Sequence, residues 1–169
     1  NNKIQINLPK YGRMANDKMP FYVAEKVNKF LRERFDDYSK VKIAILGYSF
    51  KSNSGDVRFT PMKFFIEALF EFGFKNIHVF DPTITIKAID DERVFHDLSW
   101  KDCISEAFCV VYGASHNEIK NISISQLTKG MIPGGLVYDG RRYFNSIEID
   151  ELTKNGINYS GVGRSINNV

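Results

Sequence analysis

A short apolar run, a polar loop and a helix start follow one another between residues 42 and 61, and this order constrains the fold most strongly. Ile43–Leu46 has the length and content of a buried parallel strand, which Gly47 ends. After a loop that carries cations, Thr60-Pro61 begins a helix, with Thr as the cap and Pro at the first helical position. This order predicts basic side chains at the carboxyl edge of a sheet, where open α/β folds bind ligands.

The rest of the chain alternates further apolar runs with helix patterns. The sequence predicts strands at residues 77–80, 94–96, 108–112, 136–138 and 159–162. It predicts helices at residues 61–73, from residue 99, and at residues 125–129 and 147–154. Because strands alternate with helices throughout, we expect an α/β fold with a Rossmann-like, mostly parallel sheet and helices on both faces.

A long N-terminal helix is predicted before the sheet, at residues 14–35. Its apolar side has helical spacing and carries Val23, Val27, Phe30 and Leu31. Pro20 either begins a new helix or kinks a longer one that runs from about residue 13. A hydrophobic helix of this kind favours at least a dimer.

Polar residues 36–40 mark the best domain boundary in the chain. We therefore divide it into a helix segment at residues 1–38, which we expect to carry the dimer contacts, and a Rossmann-like domain at residues 39–169. The chain starts with Asn rather than Met, and we expect it to be a piece of a longer protein.

Composition argues against several classes of partner. Hydrophobic residues make up 43% of the chain, which is enough for a real core. The net charge of +3 is mild and scattered, so we expect no nucleic-acid partner. No apolar run approaches membrane-spanning length, and the two cysteines match neither a disulfide framework nor a zinc spacing. We therefore expect a cytoplasmic protein without a membrane partner.

Charged residues follow three of the predicted strands: Lys51 with Arg58, Asp81, and Arg141 with Arg142. The carboxyl ends of parallel strands share one edge, and a guanidinium group pairs with phosphate in a bidentate fork. A diphosphate ligand would satisfy the cations there. Alternatively, Arg58 and Arg141 pair with Asp56 and Asp139 in surface ion pairs worth about 0–1 kcal/mol.

Other candidate residues carry weaker signals. The glycines of a dinucleotide-binding turn are missing after Gly47, and Asp81 lies 34 residues further on, rather than the ~20 typical of a ribose-binding acid. Asp81 is better interpreted as a turn opening. His116 lies in a strand-end loop and is kept as a ligand-contact candidate, whereas Cys103 and Cys109 are interpreted as inert core residues.

Five ordered segments resemble a known family. They are residues 15–23, Ile45 to Pro61, Val79 to Pro82, Val137 to Arg141 and Tyr159 to Arg164. Together they resemble the central helix and C-terminal domain of nucleotide-sugar 6-dehydrogenases, which include UDP-glucose, UDP-N-acetylmannosamine and GDP-mannose dehydrogenases. The resemblance covers nearly the whole chain from about residue 13.

The resemblance implies a function and four site residues. The family oxidises the sugar C6 alcohol to a carboxylate in two NAD-dependent steps through a cysteine thioester, and this chemistry serves polysaccharide biosynthesis. Phe50 and Lys51 resemble positions that contact the UDP-sugar, and Arg141 resembles the arginine that reaches the same ligand. Arg58 resembles an arginine that faces NAD. The central helix implies a homodimer through residues 14–35.

Departures from the family pattern limit what the chain can do alone. It contains neither the Gly-x-Gly-x-x-Gly turn that binds NAD nor the Gly-Gly-x-Cys segment of the nucleophile. We expect NAD to be bound mainly by an N-terminal domain outside this chain, and the chain to be an inactive UDP-sugar-binding part of the enzyme. A stand-alone binding or sensing module and a dimerising interaction domain stay open as alternatives. Residues 114–118 favour an N-acetylhexosamine substrate and Arg142 favours UDP-glucose, which leaves the sugar open.

Overall fold

The computed structural model describes residues 8–164, which form a six-stranded parallel sheet flanked by helices. The strand order is β3-β2-β1-β4-β5-β6, and every neighbouring pair is parallel. The strands are β1 Ile43–Leu46, β2 Ile77–Phe80, β3 Val94–His96, β4 Cys109–Tyr112, β5 Leu136–Asp139 and β6 Asn158–Gly161. Each predicted strand is therefore confirmed to within one residue at either end, and β3 and β6 form the edges.

The helices lie on both faces of the sheet, as predicted. They are α1 Leu8–Arg32, α2 Pro61–Glu71, α3 Trp100–Ile104, α4 Asn117–Lys120, α5 Ile124–Gly130 and α6 Ser146–Lys154. Ile43 and Ile45 of β1 pack in a core with α1 and α2, whereas Ala44 and Leu46 pack in a second core with α3, α5 and α6. The Rossmann-like α/β class is thus confirmed.

Pro20 lies inside a single long helix, so α1 is the longer of the two predicted alternatives. Its missing N–H leaves the Asn16 carbonyl without a helical donor, yet the helix continues on both sides. The predicted C-terminal end at residue 35 is wrong, because α1 ends at Arg32. Phe35 continues the apolar pattern from the following turn, where its ring meets that of Phe108 edge to face at 4.7 Å.

The two halves of α1 have different surroundings. Residues of its C-terminal half are buried in the same core as β1 and α2: Val23, Ala24, Val27, Phe30 and Leu31. From its first turn to just past its middle, α1 exposes a stripe of apolar side chains: Tyr11, Met14, Phe21 and Tyr22. The division into segments 1–38 and 39–169 stays a prediction, although half of the helix shares the core of the sheet. None of the helices within residues 8–164 is long and apolar enough to cross a membrane.

Candidate functional site

The loop between β1 and α2, which we call the β1 loop, begins with a close backbone contact. Gly47 has φ +89°, and a Cβ atom there would lie 2.6 Å from the Ala114 amide nitrogen, so only glycine fits without strain. At the other end of the loop, the Thr60 hydroxyl donates to the Tyr48 carbonyl and accepts from the Met62 N–H at 3.2 Å. Thr60 therefore caps α2, as the sequence predicts, and also closes the loop on itself.

Asp81, the residue after β2, anchors the β1 loop through hydrogen bonds. Its buried carboxylate accepts the backbone N–H groups of Tyr48 and Ser49, both at 2.8 Å, and that of Thr83 at 2.9 Å. The Thr83 bond confirms the predicted turn opening. Burial raises the pKa of Asp81, but hydrogen bonds from His116, Ser49 and Thr83 outweigh burial and hold that pKa well below its usual 3.8. Asp81 is therefore ionised, and its oxygens are occupied by the protein.

His116 contacts Asp81 and is completely buried. Its Nδ1 accepts the Asn53 N–H at 2.9 Å, and its Nε2 lies 3.0 Å from Ser49 Oγ and 3.1 Å from Asp81 Oδ2. Both ring nitrogens are thus engaged within the protein. The prediction of a direct ligand contact is wrong, because the imidazole does not reach the surface.

Arg141, after β5, presents its guanidinium at the same edge of the sheet. Its Nε donates to the Gly113 carbonyl at 2.6 Å, which fixes the plane of the group. Among residues 8–164, its two terminal nitrogens form no hydrogen bond and no ion pair. The alternative pairing with Asp139 is not observed, because that buried carboxylate accepts the Arg141 and Phe144 N–H groups and the Tyr159 hydroxyl. Arg141 can therefore offer two N–H donors to a phosphate.

Arg58 instead follows the ion-pair alternative. Its Nε and Nη2 each lie 2.9 Å from one oxygen of Asp56, and its side chain is 80% exposed. The hydrogen bonds from Arg58 lower the pKa of Asp56 to about 2. The pair keeps Arg58 at the surface of the loop, and its contact with NAD stays a prediction.

Two neighbouring cavities connect Arg141 with Phe50. A cavity of about 240 Å³ is lined by Arg141, and one of about 910 Å³ is lined by the half-exposed Phe50. Both are also lined by Asn16, Pro20 and Pro61, so they form one groove along α1. We call this the α1 groove. Lys51 is exposed in the same loop but lines neither cavity.

The remaining candidates have no place in the groove. Cys103 and Cys109 are buried free thiols whose pKa burial raises, in agreement with the prediction of inert core residues. Arg142 is exposed next to Arg141 with φ +57°. Within residues 8–164 there is no cluster of three or more His, Cys, Asp or Glu side chains that could hold a metal ion.

Known proteins resemble this chain in both sequence and structure. Residues 44–146 match the UDP binding domain of the UDP-glucose/GDP-mannose dehydrogenase family. A UDP-N-acetyl-D-mannosamine dehydrogenase of Methanococcus vannielii is 33% identical over 79% of this chain, and a UDP-glucose 6-dehydrogenase of Pongo abelii is 22% identical over 95%. The chain spans 30% and 36% of their lengths, or about a third.

The fold also agrees with a solved structure. The NDP-N-acetyl-D-galactosaminuronic acid dehydrogenase of Methanosarcina mazei superposes with a TM-score of 0.80 at 22% identity, covering 98% of this chain and 33% of that one. The matched segment carries the β1 loop, Asp81, His116 and Arg141 in one continuous domain. The chain therefore belongs to the UDP-glucose/GDP-mannose dehydrogenase family and contains its UDP binding domain.

Proposed function

We propose that this chain is the UDP-sugar-binding part of an NAD-dependent nucleotide-sugar 6-dehydrogenase, which oxidises the C6 alcohol of the sugar to the uronate. The observation that carries the proposal is the guanidinium of Arg141. It is fixed through Nε by the Gly113 carbonyl and lines the α1 groove, in a domain that matches a UDP binding domain. A planar guanidinium pairs bidentately with a carboxylate or a phosphate, and the match to a UDP binding domain favours a diphosphate.

The proposed ligand lies along the α1 groove at the carboxyl edge of the sheet. The terminal nitrogens of Arg141 bind a phosphate oxygen pair, and Lys51 adds a second positive charge from the β1 loop. Phe50 supplies an apolar surface in the larger cavity of the groove. Anion and apolar contacts are thus provided together, which suits a nucleoside diphosphate joined to a sugar.

The β1 turn does not fit the pyrophosphate of NAD. In a dinucleotide-binding turn, free backbone N–H groups after the first strand face the phosphates. Here the N–H groups of Tyr48 and Ser49 are donated to Asp81, and Gly47 packs against Ala114. We therefore assign NAD to another part of the enzyme, and we propose that Arg58 faces it from this chain.

We also assign the covalent chemistry to another segment of the enzyme. Oxidation of an alcohol to a carboxylate through a thioester needs an accessible thiolate. Cys103 and Cys109 are buried and make poor nucleophiles. This chain therefore binds and orients the nucleotide sugar without turning it over.

The substrate is a UDP-sugar of the UDP-N-acetylmannosamine or UDP-glucose type, whose product enters polysaccharide biosynthesis in the cytoplasm. We further propose a homodimer through α1, because this helix exposes the apolar stripe defined above. The alternative is a stand-alone sensor of a nucleotide sugar. It is supported by the two buried thiols and by the β1 turn, whose Tyr48 and Ser49 N–H groups are donated to Asp81.

Calorimetric titration of the purified chain with UDP tests the proposal. We expect saturable binding of UDP and weaker binding of uridine, because the diphosphate supplies the contacts to Arg141 and Lys51. Absence of heat at millimolar UDP would contradict it. A second assay follows NADH absorbance after NAD and a UDP-sugar are added, and steady turnover by this chain alone would overturn the assignment of chemistry to another segment.

A further inference from the structure

A buried polar cluster lies beneath the β1 loop, formed by Ser49, Asn53, Asp81 and His116. We propose that His116 is a positioning residue, which acts as a neutral imidazole whose Nδ1 holds the backbone after Lys51, at Asn53. The meaning of this role rests on the proposed function, in which Phe50 and Lys51 contact the nucleotide sugar. The role itself follows from the hydrogen bonds of the cluster.

The hydrogen bonds determine where the proton of the imidazole lies. The Asn53 N–H can only donate, so Nδ1 of His116, 2.9 Å away, must be the unprotonated nitrogen. The proton is then on Nε2, which faces the Asp81 carboxylate at 3.1 Å and Ser49 Oγ at 3.0 Å. The Ser49 hydroxyl donates in turn to the Lys51 carbonyl at 3.2 Å. One tautomer therefore satisfies every group in the cluster.

Asn53 completes a reciprocal bridge between two loops. Its side-chain Oδ1 accepts the Asn117 N–H at 3.0 Å, while its own N–H donates to His116. Asn53 has φ +52°, a left-handed conformation that asparagine tolerates better than most residues. The two bonds hold this turn against the loop after β4.

The bridge fixes the residues that are proposed to meet the ligand. Lys51 lies between Ser49, which donates to its carbonyl, and Asn53, which His116 holds. The preceding Phe50 N–H donates to the Asp56 carbonyl at 2.8 Å. Loss of the His116 acceptor would release the turn at residues 51–53 and let Lys51 move away from the phosphate.

Two substitutions of His116 test its two ring nitrogens separately. Asparagine can place its Oδ1 near the Nδ1 position and keep the Asn53 bond, whereas glutamine can place its Nε2 near the imidazole Nε2 and keep the Asp81 bond. We expect His116→Gln to weaken UDP binding about tenfold, since a loop hydrogen bond is lost. We expect His116→Asn to stay within about threefold of the wild type. A purely structural role would predict no such split.

His78 offers a matched control. Both of its ring nitrogens are also hydrogen-bonded, at 2.8 Å from Asp97 and 3.0 Å from Asn76. However, it lies near the start of β2, away from the carboxyl ends of the strands. We expect His78→Gln to leave the affinity for UDP unchanged. Equal UDP affinities for both His116 variants and the wild type would overturn the inference.

A measurement without ligand keeps this test separate from that of the proposed function. We expect ¹⁵N NMR of the wild type to give the neutral Nε2–H tautomer of His116. We expect the Asn53 amide to exchange at least about tenfold faster in His116→Gln than in His116→Asn. An Nδ1–H tautomer or equal exchange rates would overturn the inference. If the wild type binds no UDP, the proposed function fails, and these two readouts still decide whether His116 holds the loop.

Discussion

The carboxylate of Asp81 accepts the backbone N–H of Ser49 at 2.8 Å, although 32 residues separate them in the sequence. This bond joins the end of β2 to the loop after β1. The same oxygen accepts the N–H of Tyr48 and faces Nε2 of His116. The ionised carboxylate of Asp81, which offers four lone-pair positions, therefore fixes the shape of the loop.

Asp81→Asn should destabilise the fold by about 2–4 kcal/mol, because the amide offers one acceptor and turns an NH₂ group toward N–H donors. Urea unfolding at about pH 7 measures the loss. Asp37→Asn is the control: Asp37 is exposed, accepts from Ser39 and caps a short 3₁₀ turn at Tyr38–Lys40, a role that asparagine fills equally well. A loss below about 0.5 kcal/mol for Asp81→Asn would contradict the prediction.

The contribution of Asp81 should also depend on pH. Its folded-state pKa lies below the unfolded value of 3.8, so the unfolded chain binds more protons as the pH falls. The stability it provides is complete above about pH 5 and declines as the pH drops through 3.8 toward the folded pKa. We expect the difference between wild type and Asp81→Asn to shrink between about pH 5 and pH 3 in urea unfolding. A constant difference would show that the charge is not responsible.

Arg141→Ala should weaken UDP binding about ten- to a hundredfold, because a fixed bidentate donor is lost. Arg141→Lys should recover only part of the affinity, since an ammonium group has no planar fork. Calorimetry measures both. Lys75→Ala is the charge-matched control, since Lys75 is exposed before β2, at the amino edge of the sheet. Equal losses for Arg141→Ala and Lys75→Ala would point to net charge rather than a specific contact.

Gly47→Ala should destabilise the fold by about 2–4 kcal/mol, because the new Cβ would collide with Ala114 at 2.6 Å and the φ of +89° disfavours alanine. Gly12→Ala is the opposite case: Gly12 lies in α1, and within residues 8–164 no atom beyond its chain neighbours and the helix backbone lies within 4 Å of the added Cβ. There we expect a gain of about 0.5–1 kcal/mol from helix propensity. Chemical unfolding of both variants tests the pair, and a neutral Gly47→Ala would contradict the close contact.

Phe21→Asp should convert a dimer into a monomer, because it places a charge in the apolar stripe of α1, where Phe21 is 43% exposed. Light scattering measures the mass. Leu98→Asp is the control, since Leu98 is 88% exposed after β3 at the edge of the sheet. A wild-type monomer, or a Phe21→Asp variant that stays dimeric, would count against the proposed interface.

The strands and helix caps could be predicted because their signals are local. Apolar runs of four residues ending in Gly47 or Asp81 mark buried parallel strands, since both faces of the sheet are covered. Thr60-Pro61 and Ser99 mark helix starts because capping involves only the next few residues. A four-residue helix such as α4 is too short to produce an apolar period, and the sequence does not reveal it.

The polar cluster beneath the loop could not be predicted for a different reason. The sequence predicts a turn role for Asp81 and a ligand contact for His116, but nothing in their spacing indicates that the two residues meet. Their contact arises because β2 and β4 lie on either side of β1, which brings the three strand ends together. The orientation of the Arg141 guanidinium likewise depends on the Gly113 carbonyl, a partner 28 residues away in the sequence.

The reciprocal bridge at Asn53 fixes the backbone of the loop between β1 and α2 through contacts within the protein itself. Strands β1, β2 and β4, which support it, are each paired on both sides, so local opening would require the middle of the sheet to separate. Little binding free energy is then lost to ordering main chain. Under the proposed function, we therefore expect discrimination between related sugars to come from side chains such as Phe50 and Lys51, which can be replaced without changing the backbone hydrogen bonds of the loop.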